Sequence, residues 1–414
     1  MNNYLIGEKL NHSYSKKIHN LFNDKDYFLM PLNENEFDEF MKNKNFLGLN
    51  VTIPYKEKVL KYIDEFDEIS NKTKVVNTII NDNGILRGYN TDYYGFLNMC
   101  KNNNISFKNK KALILGSGGT SKTIKTCLID EVIIEVYIVS RTKGKDKITY
   151  LEAENKFDVD YIINTTPCGM YPHIDDELLI NLDKFTSLKC CIDVIYNPFR
   201  TNFLLEAKKR GIKILSGLEM LVEQAYYSHK LFYPKRKLVN SRSVYRQIML
   251  ENLNLVLIGL PATGKTTISS KLASCLNLEH IDTDEEIEKN IHMSIKEFFN
   301  LYGEDKFREI EHNVITEVFK NKGKVISLGG GSLILEKNRN IIMRNSIIIF
   351  LNRDLSFIKE NKRAYIDRPL LVDENSINKL YQERISTYKQ CLDIEIDTNS
   401  TILNTINEIL TKLM

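Results

Sequence analysis

The sequence has almost no excess of charge of either sign. Its 57 lysines and arginines are matched by 54 aspartates and glutamates, which leaves a formal net charge of +3. A protein that binds nucleic acid through its phosphates usually carries a strongly basic face. The balance therefore argues against a nucleic-acid partner, and it is compatible with small anionic substrates.

The sequence also lacks the cysteine and histidine spacings that typically hold a metal ion. The cysteine count is odd and no pair is arranged as C-x-x-C, so we expect reduced thiols in a cytosolic protein. The histidines form no ligand pair in the sequence, and His19 and His229 are expected to serve packing or to lie on the surface. The seven cysteines are Cys100, Cys127, Cys168, Cys190, Cys191, Cys275 and Cys391.

No apolar run approaches the ~20 residues of a membrane helix. The opening MNNYLIGEKLNHS is too polar for a secretory signal, so we expect a cytoplasmic protein with no membrane partner. What the chain does have is enough apolar residues, 43% of 414, for ordinary packed cores. Its length suggests two or three domains.

The most specific motif lies in the stretch NLVLIGLPATGKTTISSK. The apolar run Leu255–Ile258 is typical of a buried parallel strand, and G-x-x-x-x-G-K-T follows it directly. Gly259 and Gly264 allow the backbone to turn its N–H groups toward one anion, at the positive end of the helix that follows. Lys265 can reach the β- and γ-phosphates of a nucleotide, and the Thr266 hydroxyl can hold Mg²⁺. A glycine-rich turn without nucleotide is the alternative, which the agreement of strand, motif and helix disfavours.

Two polar clusters occur early in the chain. Ser13 and Ser15 are two residues apart, so in an extended segment their hydroxyls point the same way and can donate to one carboxylate. A helix cap is the commoner meaning of such serines. Lys56 follows a predicted strand, Leu47–Val51, that Pro54 ends. An amine in that place can act as an acid or base if its pKa is lowered, or it can be ordinary surface charge.

A dinucleotide-binding pattern follows. The predicted strand Lys110–Leu115 leads into GSGGTS and a helix, which is a Rossmann-type turn with Ser121 in place of the third glycine. The next strand, Val136–Val139, ends in S-R-T, where an NAD site usually has a carboxylate for the ribose. A guanidinium at Arg141 suits a 2′-phosphate instead, so the expected cofactor is NADP.

These blocks and others, taken in order, resemble shikimate dehydrogenase over about residues 1–250. They are S-x-S, N-V-T-I-P-x-K-E, V-N-T, N-T-D, G-x-G-G-x-S, S-R-T, I-N-x-T and G-x-x-M-L-V-x-Q-A. The resemblance implies that Lys56 and Asp92 are the catalytic pair. It implies that the substrate is bound by Ser13, Ser15, Thr52, Asn77, Asp92, Tyr196 and Gln224. It implies that NADP is bound by Gly116, Ser117, Gly118, Gly119, Thr120, Ser140, Arg141, Thr142 and Gly217.

The second half of the chain adds acidic, basic and glycine-rich segments after the phosphate loop. Asp282 and Asp284 are two apart at a predicted strand end, which favours carboxylates on the same side. One could meet Mg²⁺ through water while the other accepts a proton from an attacking hydroxyl; an acidic surface turn is the alternative. A strand from Val325 runs into three glycines, where the backbone can approach a ligand. The segment Asp367–Leu371 is predicted to be a mobile loop.

G-x-x-x-x-G-K-T, D-x-D, G-E-x-x-F-R-x-x-E, L-G-G-G, R-P-L-L and E-R-x-x-x-Y together resemble shikimate kinase over residues 254–414. The resemblance implies that Thr266 and Asp282 hold Mg²⁺ and that Lys265 and Asp284 are catalytic. It implies that the substrate is bound by Asp284, Arg308, Gly330, Gly331 and Arg384. It implies that ATP is bound by Gly259, Pro261, Ala262, Thr263, Gly264, Lys265, Thr266, Thr267 and, from a lid, Arg368.

The sequence thus predicts an α/β protein with three domains. Residues 1–94 plus 218–251 are expected to form a substrate domain, 95–217 a Rossmann NADP domain, and 252–414 a P-loop kinase domain with a parallel sheet. The two resemblances imply an NADPH-dependent reduction of 3-dehydroshikimate to shikimate and its ATP- and Mg²⁺-dependent phosphorylation at the 3-hydroxyl. A quinate-type dehydrogenase in the first half and a non-catalytic sensor of these metabolites are the alternatives. The oligomeric state is open, with a homodimer as one option.

Overall fold

The computed structural model describes residues 2–11, 13–360 and 374–413. The chain divides into two compact units. The first consists of Met1–Ala207 and Ile212–Tyr245, and the second of Lys208–Gly211 and Arg246–Met414. No helix in the described part of the chain is long and apolar enough to cross a membrane.

The secondary structure alternates strands and helices through most of the chain. The strands are β1 Asn3–Gly7, β2 Tyr27–Pro31, β3 Gly48–Val51, β4 Glu65–Phe66, β5 Thr78–Asp82, β6 Ile85–Tyr89, β7 Lys111–Leu115, β8 Glu135–Val139, β9 Lys147–Ile148, β10 Tyr161–Asn164, β11 Cys190–Asp193, β12 Lys213–Ser216, β13 Asn254–Ile258, β14 Glu279–Asp282, β15 Lys324–Ser327, β16 Ser346–Asn352 and β17 Ile394–Asp397. The helices are α1 Ser15–Leu21, α2 Glu34–Asn43, α3 Tyr55–Lys58, α4 Glu68–Thr73, α5 Thr91–Asn102, α6 Gly119–Asp130, α7 Tyr150–Ala153, α8 Asn202–Lys209, α9 Leu218–Phe232, α10 Ser241–Asn252, α11 Lys265–Leu276, α12 Thr283–Ile291, α13 Ile295–Val318, α14 Glu336–Arg344, α15 Leu355–Glu360, α16 Glu374–Cys391 and α17 Ile402–Lys412, with short 3₁₀ helices at Val59–Tyr62 and Leu182–Lys184.

The first sheet has the strand order β2-β1-β3-β5-β6-β4 among the described residues. The strands β1, β2 and β3 are parallel, whereas β5 runs antiparallel to β3 and β6. Its core packs α2 and the 55–62 segment against the sheet, through Ile6, Phe37, Leu49, Tyr55 and Ile79. This packing sets the short helix α3, which carries Lys56, directly beyond the carboxyl end of β3.

The second sheet has the order β12-β11-β10-β7-β8-β9 and is parallel throughout the described strands. Central strands of such a sheet are covered on both faces and are apolar without alternation, as ALIL in β7 and YII in β10 are. Helix α5 contributes Phe96 and Met99 to the core on one face. Because the strands are parallel, their carboxyl ends lie at one edge of the sheet, and the turns that begin at Gly116, Ser140 and Gly217 lie together at that edge.

The third sheet, β14-β15-β13-β16-β17, is also parallel across its described strands. All five residues of β13 are buried. The carboxyl ends of β13, β14 and β15 bring the phosphate loop, Asp282 and the glycines after Ser327 to one edge. Ligands of open α/β sheets bind at this edge. Helix α13 is interrupted at Gly303, where φ is +78°.

Candidate active sites

The predicted catalytic lysine and aspartate of the first unit are in contact. Lys56 of α3 donates a hydrogen bond from Nζ to Oδ2 of Asp92, at the start of α5. The side chains are 17% and 9% exposed, so the pair is largely withdrawn from water yet still reachable. Asn77 donates from Nδ2 to the other carboxylate oxygen at 2.9 Å. This arrangement fixes the direction of the carboxylate and holds the ammonium group beside it.

The two serines also lie together, although not in an extended segment. Ser15 is the first residue of α1, and Tyr14 before it already has helical backbone angles. The hydroxyls are 3.1 Å apart because the Ser15 N–H bonds Ser13 Oγ and closes a tight turn into the helix. Ser13 therefore accepts the N–H of the first helical residue, and the two hydroxyls still lie close enough together to donate to one carboxylate.

Tyr196 reaches the same serines from the second sheet. It hydrogen-bonds Ser13, and its ring centroid lies 5.2 Å from that of Tyr14. Burial, reinforced by Tyr14, raises the pKa of Tyr196 to about 12, so the phenol keeps its proton at neutral pH. Two hydroxyl-bearing elements distant in sequence thus meet at one place.

Thr52 and Gln224 are held by other contacts. Thr52 follows β3, and its N–H donates to Ile6 O at 2.9 Å. The Gln224 side-chain amide donates to Leu221 O at 2.9 Å. Helix α9 comes so close to α5 at this level that a Cβ on Gly95 would lie 2.8 Å from that of Gln224.

The sequence interpretation missed a buried polar cluster next to Asn77. Thr78, Thr91 and Ser228 have their hydroxyl oxygens within 3.1 Å of one another, and Asn50 donates to both Thr78 and Ser228 at 2.9 Å. Asn77 accepts from the Thr91 N–H at 2.7 Å. The cluster supports the residues that hold Asp92. One signal was available: Ser228 lies four residues after Gln224 and therefore on the same helix face.

The dinucleotide turn has the predicted strand–turn–helix form. Gly116 has φ +103°, and a Cβ there would lie 2.8 Å from Thr165 Oγ1. Gly118 precedes α6, and no atom of the described residues lies within 4 Å of where a Cβ would be, so the backbone is open to a ligand. Ser117, Gly119 and Thr120 are half-buried or exposed. The glycines fit a pyrophosphate at the start of α6.

The S-R-T segment follows β8 as expected. Ser140 donates its hydroxyl to Thr142 O, which folds the segment back, and Arg141 and Thr142 are exposed. Gly217, at the end of β12, is bounded by backbone: a Cβ there would lie 2.1 Å from Val194 O. An exposed guanidinium at this place can receive the 2′-phosphate of NADP.

The phosphate loop of the second unit has left-handed angles at Gly259, Ala262 and Gly264 (φ +154°, +62° and +86°). The Lys265 ammonium donates to Gly259 O at 3.1 Å and to Leu260 O at 3.0 Å, across the loop. Thr263 closes the turn by donating to Leu260 O, and Pro261 and Thr267 complete the loop. The predicted curl of the backbone is present.

The Thr266 hydroxyl lies 2.7 Å from Asp282 Oδ2. A hydroxyl and a carboxylate are hard oxygen ligands, so this pair fits Mg²⁺ when the ion is bound with a nucleotide. Asp282 is 8% exposed and ends β14. Its other oxygen accepts from Asp284 N at 3.0 Å.

The prediction that Asp282 and Asp284 face the same side as strand neighbours is wrong. The strand ends at Asp282, which caps α12, and Asp284 lies in the first turn of that helix. Asp284 nevertheless points at the glycine segment, since a Cβ on Gly329 would lie 2.5 Å from its Oδ1. The Asp282 carboxylate therefore lies at the Thr266 hydroxyl, whereas the Asp284 carboxylate lies at the glycine segment.

The two predicted arginines flank those glycines. A Cβ on Gly330 would lie 2.9 Å from an Arg384 nitrogen, and one on Gly331 would lie 2.8 Å from both terminal nitrogens of Arg308. Arg384 is 6% exposed, and its Nε is buried without a hydrogen-bond partner among the described residues. Such a guanidinium fits an anion that completes its hydrogen bonds.

Two further residues of the quoted motifs hold this region. Glu311 is 2% exposed and accepts from Arg308 at 2.7 Å and from Ser332 at 2.7 Å, so it fixes the arginine against the glycine segment. The Tyr388 hydroxyl lies 2.6 Å from Gly330 O and 3.3 Å from Gly259 O. It joins the glycine segment to the phosphate loop. The predicted lid residue Arg368 and its R-P-L-L segment lie outside the described residues.

The fold brings together two histidines that lie far apart in the sequence. His19, His229 and Asp24 each place one ligand atom so that all lie within 4.8 Å of one another. The expected packing role is present as well, since both histidines are 1% exposed and His19 stacks on Tyr27 at 3.8 Å. Burial lowers the pKa of both imidazoles.

Comparisons with known proteins place both halves. The family model of the shikimate dehydrogenase substrate-binding domain matches residues 5–79, and the shikimate kinase model matches residues 261–414. The NADP⁺-dependent shikimate dehydrogenase of Clostridium beijerinckii is 41% identical over 244 residues, covering 55% of this chain and 90% of that protein.

Solved structures agree with this. Shikimate dehydrogenase 1 of Peptoclostridium difficile has 36% identity and a TM-score of 0.56, over 61% of this chain and 99% of that one. The shikimate 5-dehydrogenase of Thermus thermophilus, in complex with NADP(H) and shikimate, has 25% identity and a TM-score of 0.54, over 59% and 97% of the two chains.

Proposed function

Since the chain belongs to the shikimate dehydrogenase family and also matches the shikimate kinase model, we propose that it reduces 3-dehydroshikimate and then phosphorylates the shikimate formed. The observation that carries the proposal is that one chain holds both the Lys56–Asp92 pair and a phosphate loop with its Thr266–Asp282 pair. Non-catalytic sensors would have no use for these acid–base and phosphate-binding groups.

In the first reaction the turn that begins at Gly116 would hold NADPH, which would supply a hydride to the carbonyl carbon of the substrate. The carbonyl oxygen gains negative charge, and Lys56 would donate the proton that makes it a hydroxyl. Asp92 would hold the lysine and accept a hydrogen bond from a ring hydroxyl, while Asn77 fixes its direction. Ser13, Ser15 and Tyr196 would bind the carboxylate, which keeps the carbonyl in reach of Lys56.

In the second reaction the 3-hydroxyl of shikimate would attack the γ-phosphate of ATP. Asp284 would accept the hydroxyl proton, and Arg308 and Arg384 would clamp the substrate carboxylate beside Gly330 and Gly331. Lys265 and the loop N–H groups would hold the phosphates. Thr266 and Asp282 would hold Mg²⁺, which would neutralise phosphate charge.

We propose the domain boundaries 1–94 with 218–251, 95–217 and 252–414. They are supported by the three sheets, each of which lies inside one of these regions. The cytosolic location and the homodimer stay predictions. Shikimate-pathway metabolites are small anions, in keeping with the modest charge of the chain.

A coupled assay tests the proposal. Purified protein receives 3-dehydroshikimate, NADPH, ATP and Mg²⁺, while NADPH loss and ADP release are followed together. We expect both signals, with ADP release dependent on 3-dehydroshikimate or on added shikimate. NADPH loss without ADP release, even with added shikimate, would reject the kinase half; the reverse result would reject the dehydrogenase half.

A further inference from the structure

One buried carboxylate near the dehydrogenase site has no part in the reaction just described. Asp193 is the last residue of β11 and is fully buried. Its partner across the sheet is Asn164, the last residue of β10, which is 2% exposed. Both lie at the edge where the cofactor turns begin. A buried charge without function would be costly, so its contacts identify what it holds in place.

Asp193 accepts hydrogen bonds from three neutral groups. Asn164 Nδ2 lies 3.2 Å from Oδ1 and 3.1 Å from Oδ2. The Ile195 N–H donates to Oδ1 at 3.0 Å, and the Thr201 hydroxyl donates to Oδ2 at 2.6 Å. Burial raises the pKa of Asp193 to about 6 in spite of these bonds. An ionised carboxylate suits this place because it offers only acceptors to donors on every side.

The bonds to Ile195 and Thr201 hold both ends of the loop 194–201. This loop carries Tyr196, which meets Ser13 and Tyr14. Ile195 O also accepts from the Gly217 N–H at 3.0 Å. Through its bonds to Ile195 and Thr201, the Asp193 carboxylate therefore determines where Tyr196 lies relative to the start of α9.

The bond to Asn164 extends the network toward the cofactor turn. Asn164 Oδ1 accepts from Thr166 N at 3.0 Å and from Thr166 Oγ1 at 2.7 Å. Thr165, between them, donates to Leu115 O at 2.7 Å and lies under Gly116. The same carboxylate thus ties the loop that bears Tyr196 to the segment that supports the dinucleotide turn.

We propose that Asp193 is a positioning residue which, through Asn164 and the Ile195 N–H, aligns the substrate loop with the cofactor turn for hydride transfer. The inference rests on the proposed reduction. It assigns Asp193 no contact with substrate or cofactor. Misplacement of reacting groups by about 1 Å can cost on the order of a hundredfold in rate, so loss of this network should slow the hydride step itself.

The first test is Asp193→Asn, which keeps the shape but introduces an NH₂ group among donors. We expect the dehydrogenase kcat to fall by about tenfold to a hundredfold. With NADPH deuterated at the transferred position, the isotope effect on kcat should rise, because hydride transfer becomes slower relative to product release. The kinase kcat of the same chain should not change. Asp183→Asn, an exposed carboxylate in the same region, is the matched control.

The second test reverses the bond. Asn164→Asp alone would place two carboxylates face to face and should lower kcat further. Combined with Asp193→Asn it restores one donor and one acceptor, and we expect most of kcat and the original isotope effect to return. Thr201→Val removes one donor only and should give a smaller loss in the same direction.

Outcomes against the proposal are distinct from failure of the proposed function. Absence of NADPH oxidation by the unaltered protein with 3-dehydroshikimate would refute the reduction itself. A normal rate for the unaltered protein together with an unchanged Asp193→Asn rate would refute only the positioning role. So would a lower kcat with an unchanged isotope effect, or a double variant that folds but recovers no activity, since both indicate a merely structural residue.

Discussion

At the scale of single residues, the contact between Lys56 and Asp92 makes the clearest prediction. Lys56→Ala removes the proton donor, so the dehydrogenase kcat should fall by about 10²–10⁴-fold while KM changes much less. Steady-state kinetics with NADPH measure both. Lys58→Ala is the matched control, because this lysine lies on the same short helix and pairs with the exposed Glu34. An unaltered kcat in Lys56→Ala would remove the residue from the mechanism.

Asp284 supports a second prediction, restricted to the kinase. Asp284→Asn keeps the size of the side chain but removes the proton acceptor, so phosphorylation of shikimate should fall by about 10²-fold or more. ATP binding, measured by calorimetry, should persist because the phosphate loop is unchanged. Asp305→Asn, an exposed residue of α13, serves as control. Wild-type ADP release in Asp284→Asn would refute the assigned role.

The motifs in the sequence identified the candidate site residues, but they did not give the directions of their side chains. Alternation along a strand predicted that Asp282 and Asp284 share a side, and it failed because Asp282 ends the strand and caps the next helix. The cluster of Thr78, Thr91 and Ser228 was invisible for another reason. Its members come from elements far apart in the sequence, and nothing in a single short hydroxyl side chain indicates its partners.

At the scale of elements, alanine substitutions at two glycines of the NADP region should have different effects on stability and on catalysis. Gly217→Ala would place a Cβ 2.1 Å from Val194 O, so the backbone of the Tyr196 loop must move, and both Tm and dehydrogenase kcat should fall. The Cβ of Gly118→Ala would meet nothing within 4 Å in the part of the chain that the structure describes, so Tm should hold. The KM for NADPH should rise, since the backbone can no longer approach the pyrophosphate as closely. Gly144→Ala, with only ordinary contacts, is the control. The opposite pattern would contradict the proposed cofactor site.

Strands were the most predictable elements. Apolar runs such as those of β7 and β13 gave bounds within a residue or so, because central strands of a parallel sheet are apolar on both faces. The turn before α1 was not predictable in this way, because it depends on a hydrogen bond between Ser13 and the Ser15 N–H rather than on periodicity.

At the scale of the whole molecule, the buried histidines predict loss of stability in acid. Burial lowers the pKa of His19; the charge of His229 lowers it further, and a hydrogen bond with Asn50 acts in the opposite direction. Burial also lowers the pKa of His229; Asp24 acts in the opposite direction, and Arg236 lowers the pKa further. Because these histidines bind protons less readily in the folded protein than in the unfolded chain, the free energy of unfolding decreases as the pH falls below about 6.5. The decrease is at most about 1.4 kcal/mol per pH unit for each histidine. Denaturant unfolding of His229→Gln should show a shallower pH dependence than the unaltered protein or the exposed control His173→Gln. Equal slopes would contradict this.

The succession of the two reactions also has a thermodynamic consequence. Reduction of a ketone by NADPH is reversible, so shikimate that accumulates drives NADP⁺ back to NADPH. Phosphorylation by ATP removes that product, and the kinase half should therefore draw the reduction further toward completion. In a mixture of 3-dehydroshikimate and NADPH that has reached equilibrium, added ATP and Mg²⁺ should lower the final NADPH concentration. Lys265→Ala should abolish this shift while leaving the initial rate of NADPH loss intact, because its amine lies on the phosphate loop and not in the dehydrogenase site. An ATP-dependent shift that survives in Lys265→Ala would mean that something other than this phosphate loop consumes the product.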